Sequence, residues 1–451
     1  MTKTPSELRA MFSLAMPLVL AELGWMAMGI VDTIFVGRVS AEAIGAVSIG
    51  TTVFHTVALI AAGLTLGLDT FISQAFGARD PQDMRRSLVN GIWLALLLTP
   101  MVMGSVGLAP IALRTFGINP DVLAIAIPYM RTLNWSTLPL LLFFVLRRYL
   151  QSQNVVRPII VTLIGANLVN ILGNWIFVFG NLGAPRMEAE GSGWATFFSR
   201  LLMLGGFAYS VLSREEHLAG TNWRPDFKRI AALLRLGVPA SVQIGLEFAV
   251  WTGATLVAGR FPADVLAGHQ IALMTVSTTY MMPLGVSSAA AVRVGQALGR
   301  GDGASAAREG WAALAFGSVI MSVAAVLLLA APRPIAALFT PESEVIAAAA
   351  PLLRLSGFFQ LFDGLQVVAT GALRGVGDTK TPAICHFAGY WLIGMPLGVT
   401  LALRGALQAL GLWIGLSLGV IVIGSVLLYL WRNTARKLQS APHTQTVGFT
   451  T

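Results

Sequence analysis

Gln74-Ala75-Phe76-Gly77-Ala78-Arg79-Asp80 reappears, 222 positions on, as Gln296-Ala297-Leu298-Gly299-Arg300-Gly301-Asp302. The correspondence extends upstream without a gap. Met16-Pro17 falls on Val238-Pro239 and Gly37-Arg38 on Gly259-Arg260. Almost everything between these motifs is hydrophobic. A duplicated hydrophobic half is the organisation of a membrane transporter.

Composition leads to the same place independently. With 55% hydrophobic and 11% charged residues and a mean hydropathy of +0.74, the chain has too little polar surface to clothe a soluble domain of its size. Apolar runs bounded by charged or Gly/Pro-rich breaks place spans at 11–35, 44–73, 87–109, 122–146, 158–180 and 192–212, then at 230–258, 265–292, 309–331, 346–373, 383–402 and 408–431. Each is close to or above the ~20 residues that cross a hydrocarbon core as a helix. The runs are continuous rather than alternating, which selects helices over a barrel. Six spans return the chain to its starting side. The expected fold is therefore an all-α integral membrane protein of twelve transmembrane helices, in two six-helix lobes related by a pseudo-twofold axis along the membrane normal. The N-lobe is placed at 1–212, a cytoplasmic linker at 213–229, the C-lobe at 230–437 and a disordered tail at 438–451. A cleft between two such bundles is where a substrate is expected.

The net charge of +9 reads as topology rather than as nucleic-acid binding. Sorting Lys and Arg by alternate loops puts most of them, including Arg79, Arg85, Arg86, Arg147, Arg148, Arg157, Arg229, Arg293, Arg300 and Arg374, on one side. Only Arg38, Arg114, Arg186, Arg260, Arg333 and Arg404 lie on the other. The positive-inside rule makes the first side cytoplasmic, with both termini there and the chain a multi-pass protein of the cell membrane, the inner membrane in a Gram-negative cell. The single cysteine, Cys385, sits in an apolar run and is read as packing. The first hydrophobic segment lacks a small-residue cleavage site after a short core and is expected to stay in the membrane.

Ionisable groups deep in a span cost a few kcal/mol each on insertion scales, so each is a functional candidate. Asp32, Glu247 and Asp363 stand out. Their repeat counterparts are Ala254, Trp25 and Pro139, so the duplicated scaffold does not need these acids for packing. A desolvated carboxyl takes and releases a proton in a useful range, and an anionic pocket also attracts organic cations. Trp25, Trp251, Phe358, Phe359, Phe54, Tyr280 and Tyr390 are the aromatics that could add cation–π contact, lipid contact and packing being the alternatives. Asn170 and Asn174 lie one turn apart and face the same way. Their carbonyls suit Na⁺, and interhelical hydrogen bonding accounts for them equally. Glu22 and Asp69 are further acids, the latter near a helix end and read as structural. Pro17 and Pro239 occupy equivalent points of the first and seventh helices, where a kink can serve as a hinge or simply be tolerated. No phosphate-binding loop, His-Glu-x-x-His or Gly-x-Ser-x-Gly occurs, so no ATP site, fixed metal centre or serine nucleophile can be built. The chain is not read as an enzyme. Energy is expected from an ion gradient, with no ATPase subunit and no cofactor beyond H⁺ or Na⁺.

Val31-Asp32-Thr33-Ile34-Phe35-Val36-Gly37-Arg38, Leu68-Asp69-Thr70 with Gln74-Ala75-Phe76-Gly77, Pro283-Leu284-Gly285-Val286, Arg293-Val294-Gly295-Gln296 and Gly371-Ala372-Leu373-Arg374-Gly375 lie in order across both halves. Together they resemble the multidrug and toxic compound extrusion (MATE) family over roughly residues 8–432. The resemblance implies export of cationic or amphipathic compounds by antiport with H⁺ or Na⁺, as two lobes alternate in access. It also implies that Asp32, Glu247 and Asp363 are the first-, seventh- and tenth-helix acids of that family. Where another branch carries a fifth-helix aspartate, this chain has Asn174. The N-lobe site implied is Asp32 with Asn170, Asn174 and Thr196, leaving Glu247 and Asp363 as the principal coupling or substrate-neutralising pair. The rival reading is a lipid-carrier flippase of the related superfamily, whose cleft is cationic. Here Arg131, Arg200 and Arg354 are scattered rather than clustered. A membrane-embedded enzyme would need a nucleophile or metal cluster that the sequence lacks.

Overall fold

The computed structural model describes residues 4–115, 119–215, 221–405 and 407–440, and among them every regular element is helical. In chain order these are α1 (Thr4–Val36), α2 (Ala41–Leu64), α3 (Gly67–Gly77), α4 (Pro81–Thr115), α5 (Pro120–Trp135), α6 (Thr137–Ser152), α7 (Arg157–Phe177), α8 (Glu188–Leu212), α9 (Phe227–Ala258), α10 (Ala263–Gly299), α11 (Gly303–Ala330), α12 (Pro332–Ala337), α13 (Ser343–Val376), α14 (Lys380–His386), α15 (Met395–Leu403) and α16 (Gln408–Ser440). Counting α2 with α3, and α14 with α15, as single spans, ten among the described residues are long and apolar enough to cross a membrane. The protein is a multi-pass membrane protein. α16 continues through Ser440, three residues into the expected tail; residues 441–451 lie outside the described residues, as do 216–220 of the expected linker.

Several spans expected to be continuous are broken. The second is interrupted at Thr65-Leu66, the fourth at Ser136, and the eleventh carries a π-helical stretch, Phe387–Gly394, between α14 and α15. The π stretch lies where glycines let α16 come very close: a Cβ on Gly419 would meet the Gly389 carbonyl oxygen at 2.6 Å. Wide turns of this kind recur at functional sites.

The described residues form two compact units. The C-terminal unit takes in those within Met1–Val19, Ser73–Arg79 and Val242–Thr451; the N-terminal unit takes in those within Leu20–Ile72 and Asp80–Ser241. The chain passes from one unit to the other inside α1 after Val19 and inside α9 after Ser241, positions 222 apart. In the C-terminal unit α13 packs against α10, α11 and α16; in the N-terminal unit α8 packs against α5, α6 and α7.

Duplication is visible in backbone detail. α6 ends with Asn154 N–H donating to Gln151 O and Val155 N–H to Leu150 O, and α13 ends with Gly377 N–H donating to Arg374 O and Asp378 N–H to Leu373 O. Asn154 and Gly377 both adopt positive φ, 62° and 95°, the left-handed stop that satisfies the last carbonyls of a helix. Within the C-terminal unit the opening motif packs against its own copy. A Cβ on Gly77 would lie 2.1 Å from the Gln296 carbonyl oxygen, and one on Gly299 would lie 1.9 Å from the Gln74 carbonyl oxygen. The two contacts are reciprocal, each copy's glycine lying against a glutamine carbonyl of the other.

Charges expected in cytoplasmic loops prove to be helical and paired. Arg147 and Arg148 belong to the last turns of α6, where Arg147 binds Glu22 and Arg148 Nη1 lies 2.8 Å from Asp69 Oδ2. Arg293, on α10, binds Glu309 through Nε at 2.6 Å. Their guanidinium heads meet a carboxylate on another helix, which hydropathy alone does not reveal. The linker is fastened to α4 of its own unit: Trp93 Nε1 donates to Trp223 O at 2.8 Å, Asp226 N to Asn90 Oδ1 at 2.7 Å, and Arg86 Nε to Asp226 Oδ2 at 2.8 Å. The Arg86 contact holds the Asp226 carboxyl below the usual carboxylate range.

Gly77→Ala and Gly299→Ala are each expected to destabilise the protein by about 1–3 kcal/mol, because a methyl group there overlaps backbone rather than a movable side chain. Gly104→Ala and Gly107→Ala, whose new methyl groups meet nothing within 4 Å, should not destabilise it. Thermal unfolding in detergent measures all four; equal behaviour of the two pairs would contradict the close-packed motif.

Candidate functional site

Each unit has its own buried polar centre. In the N-terminal unit, α1 carries Asp32, 6% exposed, against α7 and α8. Asn170 Nδ2 donates to Asp32 Oδ1 at 2.9 Å and Asn174 Nδ2 to the same oxygen at 2.7 Å, while Thr196 Oγ1 donates to Oδ2 at 2.8 Å. The four residues singled out from sequence therefore form one hydrogen-bonded cluster. The i, i+4 spacing of Asn170 and Asn174 puts both amides on one face of α7, and the Asn174 amide also reaches the Asn170 carbonyl at 2.9 Å. Their side-chain oxygens, Asn170 Oδ1 and Asn174 Oδ1, are buried without a donor. Interhelical hydrogen bonding thus uses the amide nitrogens and leaves two oxygens available to a hard cation.

In the C-terminal unit, Asp363 on α13 is 4% exposed. Gln366, one turn along, donates through Nε2 to Asp363 Oδ1 at 2.9 Å and to the Tyr390 hydroxyl at 3.1 Å. Glu247 on α9 is half-buried, is hydrogen-bonded by Tyr280, and interacts electrostatically with Asp363. The two expected acids are thereby brought into one field, with two tyrosines and a glutamine. Asp363 Oδ2 and Gln366 Oε1 are buried acceptors without donors. Among the described residues none of Asp32, Glu247 and Asp363 joins an ion pair.

Other expectations divide. Glu22 and Asp69 are taken up by Arg147 and Arg148. Phe358 is 66% exposed and turns away from its unit's core, while Trp251 packs against Trp413 at 5.5 Å between ring centroids. Arg131 and Arg354 are exposed. Arg200 is not one more scattered arginine: it is 3% exposed, one turn beyond Thr196 on α8. Its guanidinium lies 4.8 Å from the Phe54 ring centroid and 5.7 Å from that of Trp25, with Nη1 donating to Ser136 Oγ at 2.6 Å. Sequence reasoning also passed over Gln366; its signal was three-residue spacing from Asp363 within an apolar helix.

Carboxylates inside membrane-crossing helices, with no cation against them, are the kind of group that marks a substrate or ion pathway, which points to the class of membrane transport proteins. A family model described as MatE matches residues 17–176 and again residues 239–400, the second match starting 222 positions after the first. A probable multidrug resistance protein NorM of Mesorhizobium japonicum is 36% identical over 436 residues, 94% of this chain and 93% of that protein. One from Brucella suis is 32% identical over 439 residues, 94% and 93% of the two chains. The crystal structure of the eukaryotic MATE transporter AtDTX14 has the same fold, with a TM-score of 0.85 at 22% identity, covering 97% of this chain and 99% of that one. The chain belongs to the MatE family, a family of transporters and not of enzymes.

A double-mutant cycle on Asp32→Ala and Asn174→Ala, read from unfolding in detergent, should give a coupling of about 1–2 kcal/mol, above the ~0.6 kcal/mol average for neutral interhelical bonds, because the acceptor is a carboxylate. Additive effects would mean that the two side chains do not act on each other.

Proposed function

We propose that the protein is an antiporter driven by an H⁺ or Na⁺ gradient, which exports cationic or amphipathic drugs and toxic compounds from the cell. The observation that carries this reading is the Glu247–Asp363 centre, two mutually repelling carboxyls without a cation. Such a pair takes up a proton, Na⁺ or an organic cation, and these compete for the same charge. The names of the NorM relatives support the substrate class. Asp32 with Asn170, Asn174 and Thr196 is a second ion site by the same reasoning, its free amide oxygens suited to Na⁺.

Alternating access requires that ion and drug favour different states of the two lobes. Twelve spans supply those lobes: to the ten long apolar helices are added α5–α6, a single span broken at Ser136, and α10, too polar along its length to stand out by hydropathy. Pro17 and Pro239 each lie two residues before the point where the chain changes unit. A proline there removes one helical hydrogen bond where a hinge would be of use. Both termini are assigned to the cytoplasmic side of the cell membrane, the inner membrane in a Gram-negative cell. Loop charges such as Arg79, Arg300, Arg214 and Arg224 still support that orientation after the helical, paired arginines are set aside.

Proteoliposomes loaded with a fluorescent organic cation, with pH and Na⁺ gradients imposed separately, test the proposal. Export under at least one gradient is expected, and Glu247→Gln and Asp363→Asn should each lower it at least tenfold while leaving a folded membrane protein. Gradient-driven export by both variants at wild-type rate would remove the site assignment, and no export under either gradient would favour the lipid-carrier flippase.

A further inference from the structure

His386 is the buried titratable group of the C-terminal unit that the coupling acids leave unexplained. It lies at the end of α14, 1% exposed, and neither Nδ1 nor Nε2 has a hydrogen-bond partner. A neutral imidazole carries one N–H and one lone pair, and burying both unsatisfied is costly unless water or another group fills the place. The helix packed against it offers no such group. α16 lies against α14 and the π stretch, bringing Gly419 and Ile423 to Gly389, and has no titratable side chain from Gln408 to Leu428. No charge among the described residues acts on His386. The titratable groups beside it are Cys385, its chain neighbour, and Tyr390, whose ring centroid lies 5.9 Å away at an interplanar angle of 80°. On α13 the nearest by register are Asp363 and Arg374.

Tyr390 ties this histidine to the acid pair. Gln366 Nε2 uses both its protons, on Asp363 Oδ1 and on the Tyr390 hydroxyl. The tyrosine oxygen therefore accepts and keeps its own proton to donate. Close backbone packing joins the π stretch to α16 rather than to α13, so Gln366 and Tyr390 bridge a wider gap by side chains alone. Chain register places the rest. Gln366 stands ten residues before Val376, where α13 ends, and Tyr390 ten residues after Lys380, where α14 begins. Thr370 and His386 each stand six residues from the same ends, one helical turn nearer the connection. Thr370 Oγ1 and, in the connection itself, Thr379 Oγ1 are also buried without a partner. Unpartnered polar atoms thus run from Asp363 Oδ2 through the level of Thr370 and His386 to Thr379, where the chain turns.

We propose that His386, with Tyr390, Thr370 and water, is a proton relay connecting the Glu247–Asp363 centre to the face of the membrane at which α13 turns into α14. This rests on the antiport reading and deepens it: H⁺ becomes the coupling ion of that centre, since an imidazole passes on a proton and not Na⁺. On the orientation assigned above that face is cytoplasmic, and the relay is the route by which a proton taken up from outside leaves. Asp363 gives its proton, through bridging water, to the Tyr390 hydroxyl, which accepts it and donates its own to one ring nitrogen of His386. The opposite ring nitrogen then releases its proton to water at Thr370 and Thr379. Only O–H and N–H bonds form and break, and the imidazole is left neutral as the other tautomer, which ring rotation resets.

The full-length protein in phosphatidylcholine proteoliposomes is assayed in two modes with radiolabelled ethidium. One is export driven by a pH gradient. The other is exchange of labelled for unlabelled ethidium with no ion gradient, in which the carrier cycles but moves no proton. His386→Gln, which cannot titrate, should lower pH-driven export about tenfold or more while exchange stays within about twofold of wild type. His386→Glu, close to glutamine in shape but able to carry a proton, should retain most of the export that His386→Gln loses. Tyr390→Phe, which keeps the ring and removes the hydroxyl, should shift the ratio of export to exchange in the same direction, and it keeps the test independent of whether the His386 variants fold. Equal loss of export and exchange in His386→Gln and Tyr390→Phe, or no loss of either, would assign His386 to packing and overturn the proposal. Wild-type export under a Na⁺ gradient but not under a pH gradient would overturn it and leave the antiport reading standing, whereas exchange with no export under either gradient would overturn both.

Discussion

Hydrocarbon solvates no charge, so each ionisable side chain buried among these helices must find a partner inside the protein or be held there at a cost. Most find one. Glu22 with Arg147, Asp69 with Arg148, and Arg293 with Glu309 bind one helix to another across turns distant in sequence. Replacing such pairs by apolar residues could leave the protein as stable or more so, and breaking one of them would not. Because these pairs absorb the other buried acids, Asp32, Glu247 and Asp363 gain meaning as the carboxylates that nothing neutralises by contact, and Arg200 as the corresponding cation.

The two units meet this constraint by different means on a repeated backbone. The packing of Gly77 against Gln296 and of Gly299 against Gln74, and the left-handed helix stops at Asn154 and Gly377, recur because a close approach or a positive φ leaves few residue types and few geometries. The charges do not recur. Asp363 and Glu247 share one field in the C-terminal unit with Tyr280, Tyr390 and Gln366, whereas Asp32 in the N-terminal unit is surrounded by three uncharged donors with Arg200 one helical turn from Thr196. Duplication therefore conserved what holds the helices and let the two polar centres diverge.

Much of the fold was legible because hydrocarbon imposes its length on the sequence, and because 222 positions separate copies of the same motifs. The three acids were legible for the same reason, as charges where charges are expensive. The breaks were not. Ser136 interrupts the fourth span three residues before Pro139, whose missing N–H leaves the Trp135 carbonyl without a helical partner, a local signal that hydropathy counting passes over; the π-helical turn of the eleventh arises where Gly389 meets Gly419 of another helix, a tertiary cause with no local signature. Arg147 and Arg148 stand four and three residues before Gln151, where the polar turn begins, and were counted with the loops, since nothing in their neighbours says which way a long side chain folds. Arg200 was passed over because Ser136, His55, Phe54 and Trp25, which give it its character, come from other helices. Thr196, four residues earlier on the same face, was named only because the family resemblance implied it.

The divergence has a consequence for coupling. On the proposed antiport, an ion and a cationic substrate seek the same negative charge at the Glu247–Asp363 centre, whereas the charges around Asp32 differ, so the two centres would answer the coupling ion differently; opposition between ion and substrate is what antiport requires.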